Sequence, residues 1–240
     1  DVGDVADIYA AGHVTCAVRV DSTVVCWGAP SAVLGISAGS PLGGSPGQLS
    51  PSLSAYLTPG FVRVYVGKLH ACAIREDGAV RCWGRNTHGE LGFRSVQDTV
   101  ELENTQLQRG RGFWWGGRAV DIAVSSHATC VLREDASMHC AGKGSEGLLA
   151  TGTLTDSNSR KATYDAEQRR ETHLYASQVL VQARAAERLV DLECGLTQSC
   201  CGISSLGHLV CFGRGDDIGF ESVEVQGLSP GQTHFGARHP

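Results

Sequence analysis

The chain has 240 residues, a formal net charge of −5, 31 glycines, ten cysteines and only 6% aromatic residues. Without a basic excess it does not fit a general binder of nucleic-acid backbones, and no apolar run approaches the length of a membrane span. Many glycines with few aromatic residues are typical of sandwiches, barrels and propellers, so we expect an all-β fold.

The cysteines carry the strongest compositional signal. Their even number and regular spacing predict disulfides, which persist in oxidising compartments. The chain starts at Asp1 without a signal peptide, so we expect a processed mature form or a fragment. The expected location is therefore extracellular, secretory or an organelle lumen, with the thylakoid lumen included.

In chain order, the first predicted element is a short strand, "VADIYAAG" at 5–12. A hairpin follows in "CAVRVDSTVVCWG" at 16–28, where Cys16 and Cys26 are symmetric about Asp21. A strand, a loop, a strand, a tight turn and a strand thus make up one unit.

The second unit shows the geometry most clearly. After the strand "FVRVYVG" at 61–67, Cys72 and Cys82 flank the turn sequence Glu76-Asp77-Gly78. A three-residue loop there places Gly78 in the left-handed conformation and Cys72 opposite Cys82. Directly opposed residues have Cα atoms about 4.5–5.5 Å apart, which a disulfide accepts. Each bridge is worth roughly 2.5–3 kcal/mol in the chain-entropy model.

The third and fourth units repeat this arrangement. Strands are predicted at 119–125 and 189–195, each before a hairpin with the same ten-residue cysteine spacing. The opposed pairs are Cys130 with Cys140 and Cys201 with Cys211.

Two cysteines of the fourth unit remain, Cys194 and Cys200. Because Cys200 and Cys201 are consecutive, their side chains point to opposite faces of a strand. Cys200 can then bridge back to Cys194. The alternative pairs Cys200 with Cys211 and Cys194 with Cys201, and the spacing leaves both open.

We expect one repeat domain over 1–240. Its units lie near 5–35, 61–93, 119–152 and 189–220, its insertions are 36–60, 94–118 and 153–188, and its C-terminal tail is 221–240. The Gly/Ser/Pro-rich insertion 36–60 is an ordered loop or a flexible excursion. Residues 157–188 fit a helix, or an outer strand at "LYASQVLVQ".

The second unit also carries a family motif. Residues 72–92, "CAIREDGAVRCWGRNTHGELG", resemble the regulator-of-chromosome-condensation repeat nearly throughout. Residues 16–28 and 130–142 match it well, and 201–213 more weakly. The resemblance implies a β-propeller or partial propeller of about four repeat blades with long inter-blade insertions. Four blades, an open arc and a larger ring with degenerate blades remain open. The paired cysteines are similar to extracellular or lumenal members of the family.

An aromatic segment lies outside the repeat. Phe113, Trp114 and Trp115 are flanked by glycines and by Arg109, Arg111 and Arg118. Aromatic and arginine side chains are enriched at interface hot spots, so Phe113, Trp114, Trp115, Arg111 and Arg118 are candidate partner-binding residues. They would meet an acidic partner or lipid headgroups. The alternative is that the insertion folds back and buries them.

The remaining candidates favour structure over chemistry. His13, His70 and His127 precede the first cysteine of three units, which fits the family, and we interpret them as repeated structural hydrogen bonds. Trp27 and Trp83 follow the second cysteine and predict packing between blades. The cysteine spacing is not that of a zinc site, and no nucleotide-binding or hydrolase motif is present. We therefore expect no metal, cofactor, small-molecule substrate or catalytic residue.

Three functions are compared. The first is a non-catalytic protein-binding scaffold that acts as an accessory subunit of a larger assembly in an oxidising compartment. Its partners would be other protein subunits, with membrane-surface contact through a membrane complex. The second is guanine-nucleotide exchange on a small GTPase, which the family resemblance implies. The third is inhibition of a secreted enzyme.

Overall fold

The computed structural model describes residues 3–29, 33, 60–92, 99–100, 115–143, 177–179, 189–195, 199–207 and 209–213. They form four antiparallel sheets, and the part of the chain described contains no α-helix. The strands are β1 (Val5–Ala11), β2 (Val14–Arg19), β3 (Val24–Gly28), β4 (Phe61–Val66), β5 (His70–Arg75), β6 (Val80–Arg85), β7 (Thr99–Val100), β8 (Ala119–Val124), β9 (Ala128–Arg133), β10 (Met138–Gly142), β11 (Ser177–Val179), β12 (Leu189–Cys194), β13 (Ser199–Ser204) and β14 (Leu209–Gly213).

Each sheet is a meander of consecutive strands, which we call units 1 to 4. Units 1 and 4 have three described strands, in the orders β1-β2-β3 and β12-β13-β14. Units 2 and 3 add an outer strand, β7 and β11. The all-β propeller prediction is confirmed, and residues 177–179 follow the outer-strand alternative for their segment. The domain boundaries and most of the predicted insertions lie outside the described residues and stay predictions.

The hairpin register follows from the turn. Cys72 pairs with Cys82 and Ile74 with Val80, as the three-residue loop requires. Gly78 has a φ of 79°, so the predicted left-handed residue is observed. The equivalent residues of the other hairpins also have positive φ: Ser22 (63°), Ala136 (65°) and Gly207 (82°).

The first strand of every unit has a bulge near its start. The register shifts between Val5 and Asp7, Phe61 and Arg63, Ala119 and Asp121, and Leu189 and Asp191. A bulge re-aims the side chains that follow it. The skipped valines, Val62, Val120 and Val190, are exposed, although the residue before each of them packs in the core.

The core lies between units rather than within them. Unit 1 presents Val18 and Val24 to Phe61 and Val64 of unit 2 in one cluster of buried side chains. Trp83 belongs to the same cluster, and its Nε1 donates a 2.7 Å hydrogen bond to the Val33 carbonyl. Two further clusters join units 2 and 3 and units 3 and 4. Trp83 thus packs between blades, whereas Trp27 is only half-buried.

The ten cysteines form five disulfides. Four bridge the hairpins: Cys16–Cys26, Cys72–Cys82, Cys130–Cys140 and Cys201–Cys211. Of the two pairings left open in unit 4, the structure has Cys194–Cys200. The alternation of side chains explains this choice, because Cys200 lies opposite Cys194 and Cys201 lies opposite Cys211.

Candidate functional site: the inner cleft

The first strands of successive units lie side by side. β1 contacts β4, β4 contacts β8, and β8 contacts β12. All four strands line one cleft of about 290 Å³, which we call the inner cleft. Its polar lining comes from Asp7, Tyr9, Tyr65 and Glu193. The first strands of units 1, 2 and 4 therefore supply its polar groups, and that of unit 3 supplies apolar ones.

A buried carboxylate ties three units together beside the cleft. Asp121 of unit 3 accepts a 2.6 Å hydrogen bond at Oδ1 from the Tyr65 hydroxyl of unit 2. Its Oδ2 accepts a 3.1 Å hydrogen bond from the Leu192 amide of unit 4, and Arg63 Nη1 lies 4.0 Å from its Oδ1. The Ile122 amide also donates to Oδ1, at 3.0 Å. Asp121 thus accepts hydrogen bonds from three donors, and two of them, from units 2 and 4, hold those units against unit 3.

Burial sets the proton affinities of this cluster. It raises the pKa of Asp121, while the hydrogen bonds from Tyr65, Leu192 and Ile122 act in the opposite direction. Burial, followed by the nearby charge of Asp121, raises the pKa of Tyr65. Tyr65 therefore stays a neutral hydroxyl donor at physiological pH. Its hydrogen bond raises the pKa of Arg63, which stays cationic.

The open part of the cleft is acidic and aromatic. Asp7 and Glu193 are exposed, and the Tyr9 hydroxyl donates a 2.5 Å hydrogen bond to Asp7 Oδ2. The Tyr9 and Tyr65 rings lie 5.7 Å apart and are tilted by 38°. Carboxylates next to tyrosine faces suit a lysine or arginine side chain, which gains both charge pairing and cation–π contact.

The predicted partner-binding residues have a different environment. Trp115 is buried against Gly92, where a Cβ would lie 2.2 Å from the indole, so the fold-back alternative describes Trp115. Its carbonyl accepts a hydrogen bond from Arg133. Phe113, Trp114 and Arg111 lie outside the described residues.

Arg118 joins two units. Its Nη1 donates to the Asp77 carbonyl at 3.0 Å, and its Nε lies 3.3 Å from a Glu134 carboxylate oxygen. The next residue, Ala119, donates its amide to the Gly78 carbonyl at 2.9 Å. The side chain remains largely exposed. Arg118 therefore connects the hairpin turn of unit 2 with unit 3 by a hydrogen bond and an ion pair.

The histidines do not share one repeat position. His70 opens β5 opposite Gly84, a place occupied in units 1 and 3 by Val14 and Ala128. His70 is buried, and its Nε2 lies 2.7 Å from Thr129 Oγ1 of unit 3, so a structural hydrogen bond is observed there. Burial lowers the pKa of His70 to about 3. His13 is exposed one residue earlier in its unit.

His127 lies near other basic groups at the surface. It is half-buried, and its ring is 5.7 Å from that of His88. Burial and the charge of Arg85 lower its pKa to about 4. Among the described residues, no group of three His, Cys, Asp or Glu side chains is arranged to hold a metal ion.

Sequence reasoning missed the inner cleft, although a signal was present. The five residues that begin with the second position of each first strand read "ADIYA", "VRVYV", "VDIAV" and "VDLEC". A charged residue recurs at the second position of these segments, and a tyrosine or glutamate stands at the fourth position of three of them; Asp7, Tyr9, Tyr65 and Glu193 line the cleft. Reading the four strands as one aligned set would have located it.

Comparison with known proteins supports the repeat assignment. The profile described as "Regulator of chromosome condensation (RCC1) repeat" matches residues 61–90. Ultraviolet-B receptor UVR8 of Arabidopsis thaliana is 29% identical over 94 residues, which are 39% of this chain and 20% of the receptor. An RCC1-like G exchanging factor-like protein of Mus musculus is 24% identical over 91 residues, 38% of this chain and 19% of that protein. The chain thus spans about a fifth of each relative.

Solved propellers share the fold. Yeast Prp20p, whose structure is described together with its binding to Gsp1p and histones, superposes with a TM-score of 0.58 and 18% identity. Human WBSCR16 gives 0.57 and 14%. The chain uses 88% of its own length in both matches but covers only 44% and 48% of those chains. The repeat match, the relatives and the four sheets agree: residues 61–90 match the RCC1 repeat, and the described sheets have the fold of RCC1-repeat propellers.

Proposed function

We propose that this chain is a non-catalytic protein-binding propeller whose inner cleft holds basic side chains of a partner protein. The observation that carries the proposal is the cleft itself, because exposed Asp7 and Glu193 line the same cavity as Tyr9 and Tyr65. The cleft offers charge and aromatic surface to a cation. Its lining residues contain no nucleophile paired with a base.

The disulfides support a location in an oxidising compartment. Every described cysteine is bridged within its own unit, so the thiols serve neither metal binding nor catalysis. We infer a lumenal or secreted accessory subunit of a larger assembly. Phe113, Trp114 and Arg111 stay proposed contact residues for that assembly.

A defined probe tests the cleft. A lysine-rich peptide is titrated into the disulfide-intact protein by calorimetry, next to the same peptide acetylated on every lysine. We expect binding of the charged peptide only, weakened by salt because the attraction is electrostatic. The double variant Asp7→Asn/Glu193→Gln is expected to lose this binding, whereas Glu76→Gln, in the exposed turn of unit 2, is expected to retain it.

The natural partner requires the native source. Protein is purified under non-reducing conditions, its disulfides are mapped, and stoichiometric co-purifying chains are identified by mass spectrometry. A partner retained by Glu76→Gln and lost by Asp7→Asn/Glu193→Gln would support the proposal. Reduced thiols in the native protein would contradict the assignment of the compartment.

Nucleotide exchange is the second candidate, because one relative is named an RCC1-like G exchanging factor-like protein. It is tested by release of a fluorescent guanine nucleotide from small GTPases. Release accelerated by catalytic amounts of this chain would replace the scaffold proposal. No acceleration, together with cleft-dependent binding, would exclude exchange on the GTPases tested.

A further inference from the structure

Basic side chains gather where units 2 and 3 meet, at the end of each sheet opposite the hairpin turn. The group, which we call the junction cluster, consists of Lys68, Arg85, His88, His127 and Lys143. Lys68 is exposed and the other four are half-buried. The chain has a net charge of −5 and only three lysines, two of which lie here, so the cluster is not a result of a basic composition.

Two members of the cluster occupy the same position in successive units. The amide of Arg85 donates a 2.9 Å hydrogen bond to the Leu69 carbonyl, and the amide of Lys143 donates one of 2.9 Å to the His127 carbonyl. Each acceptor is the residue before the second strand of its unit. Unit 1 has Ala29 in this position, so the repeat does not itself require a basic residue there.

The loops that carry the remaining members are in contact. A Cβ on Gly67 would lie 2.7 Å from the carbonyl oxygen of Ser125, so the loop before β5 packs directly on the loop before β9. Lys68 and His127 lie in these two loops. The His88 ring is 5.7 Å from the His127 ring, edge to face. Both sides of this junction therefore contribute basic groups to one place.

The electrostatics of His127 show that these groups act on one another. After burial, the charges of Arg85, His88, Lys143 and Lys68 lower the pKa of His127, in that order, to about 4. His127 is therefore uncharged at neutral pH and available as a hydrogen-bonding group, while the lysines and Arg85 supply the positive charge.

The other titratable groups at this junction are turned inwards. Glu90 is fully buried, its carboxylate accepts a 2.8 Å hydrogen bond from the His88 amide, and its Oε1 lies 3.8 Å from Arg85 Nε. It offsets part of the Arg85 charge from below, while Arg85 itself stays 30% exposed. His70 is buried, and its pKa of about 3 keeps it neutral. The outer side of the junction cluster thus remains basic.

We propose that the junction cluster binds a compact oxyanion with two negative charges, a phosphate or sulfate group, between units 2 and 3. Like charges held close together repel one another, and a bound anion replaces this repulsion by attraction. Guanidinium and ammonium groups recognise such oxyanions by charge-assisted hydrogen bonds. Because cations from two units converge, a doubly charged ion gains more than a single carboxylate. The cluster shares no residue with the lining of the inner cleft, so the inference is independent of the proposed function.

Titration with inorganic ions tests the site. Sulfate, phosphate and acetate are added separately to the disulfide-intact protein at neutral pH, with sodium chloride keeping the ionic strength constant, and the ring signals of His88 and His127 are followed by NMR. We expect saturable shifts with sulfate and phosphate, and binding of acetate that is weaker by about tenfold because it carries one charge. A preference between sulfate and phosphate identifies which of the two the site takes.

Charge-removing variants locate the bound ion. Arg85→Gln and Lys143→Gln are each expected to raise the dissociation constant by about threefold, and the double variant by about tenfold, because single half-exposed ion pairs are individually weak. Arg19→Gln removes one charge at the hairpin end of unit 1 and is the matched control. It is expected to leave the dissociation constant unchanged. Amide spectra of each variant establish that it is folded.

The ionisation of His127 gives a readout that does not depend on affinity. Sulfate keeps both charges over the pH range in which histidine titrates, and when bound it is expected to raise the pKa of His127, because it opposes the repulsion from the four basic groups. An unchanged pKa at saturating sulfate overturns the proposal, as does acetate binding as tightly as sulfate or an equal effect of Arg19→Gln. A folded protein without saturable binding also overturns it, whether the cluster is inert or an acidic segment of its own polypeptide covers it.

Discussion

Unit 2 and unit 4 share a hairpin geometry but are stabilised in different ways. Unit 2 is packed on both sides, by unit 1 against Val64 and by unit 3 against Ile74, and has one disulfide. Within the part of the chain that the structure describes, unit 4 packs on unit 3 alone, and it has two disulfides. Its additional bridge, Cys194–Cys200, occupies the register position of Val66 and Ala71 in unit 2. The unit that the described residues pack on one side only thus carries the additional covalent link.

The largest expected effect comes from removing interior packing. Trp83→Ala deletes a fully buried indole and its hydrogen bond to Val33, so we expect a loss of about 3–5 kcal/mol in the free energy of unfolding. Trp27→Ala removes the equivalent half-buried residue of unit 1 and should cost less. Denaturant unfolding under non-reducing conditions measures both. Equal losses would contradict the packing difference between the two positions.

Removing a disulfide is expected to have different effects in unit 4 and in unit 2. Replacing Cys194 and Cys200 by the Val and Ala found in unit 2 is expected to cost about 2 kcal/mol. The cost should appear as faster amide exchange confined to 189–204, because unit 3 is the only unit that packs on unit 4 among the described residues.

The comparison variant is Cys72→Ala/Cys82→Ala in unit 2. It is expected to cost about 2.5–3 kcal/mol, and exchange in units 1 and 3 should also rise, because both pack on it. If amide exchange in the Cys194 and Cys200 variant rises equally in all four units, the Cys194–Cys200 bridge does not stabilise unit 4 independently of the others.

Alanine substitution of the two hairpin glycines, Gly78 and Gly207, is expected to give a smaller difference in stability. Alanine at Gly207 must adopt a left-handed φ, at roughly 1–2 kcal/mol, but has open space around its Cβ among the described residues. Gly78→Ala carries the same strain and also meets Arg118 at 2.8 Å, so we expect the larger loss at Gly78. Thermal unfolding of the two variants measures the difference. Equal losses would mean that unit 3 yields readily at this junction.

The local geometry of a unit could be predicted from its sequence, and the contacts between units could not. Cysteine spacing and a turn glycine determine the register around Gly78, because both act within eleven residues. The Tyr65–Asp121–Leu192 network joins three units, and Trp115 is buried against Gly92 of another segment. Such contacts depend on how the sheets pack, which no single repeat specifies.

The junction between units 2 and 3 also makes stability depend on pH. The pKa of buried His70 is lowered to about 3 from an ordinary 6.5, so the unfolded chain takes up this proton first as the pH falls. The contribution of neutral, buried His70 to the free energy of unfolding is complete above pH 6.5. Between pH 6.5 and 3 it decreases by about 1.4 kcal/mol per pH unit. His70→Gln keeps a hydrogen-bonding group towards Thr129 without a titrating ring, so its stability should fall less steeply with acid. His13→Gln, at an exposed position, is the control and should follow the wild-type profile. If the free energy of unfolding falls with acid as steeply in His70→Gln as in the wild type, the acid sensitivity comes from groups outside the junction between units 2 and 3.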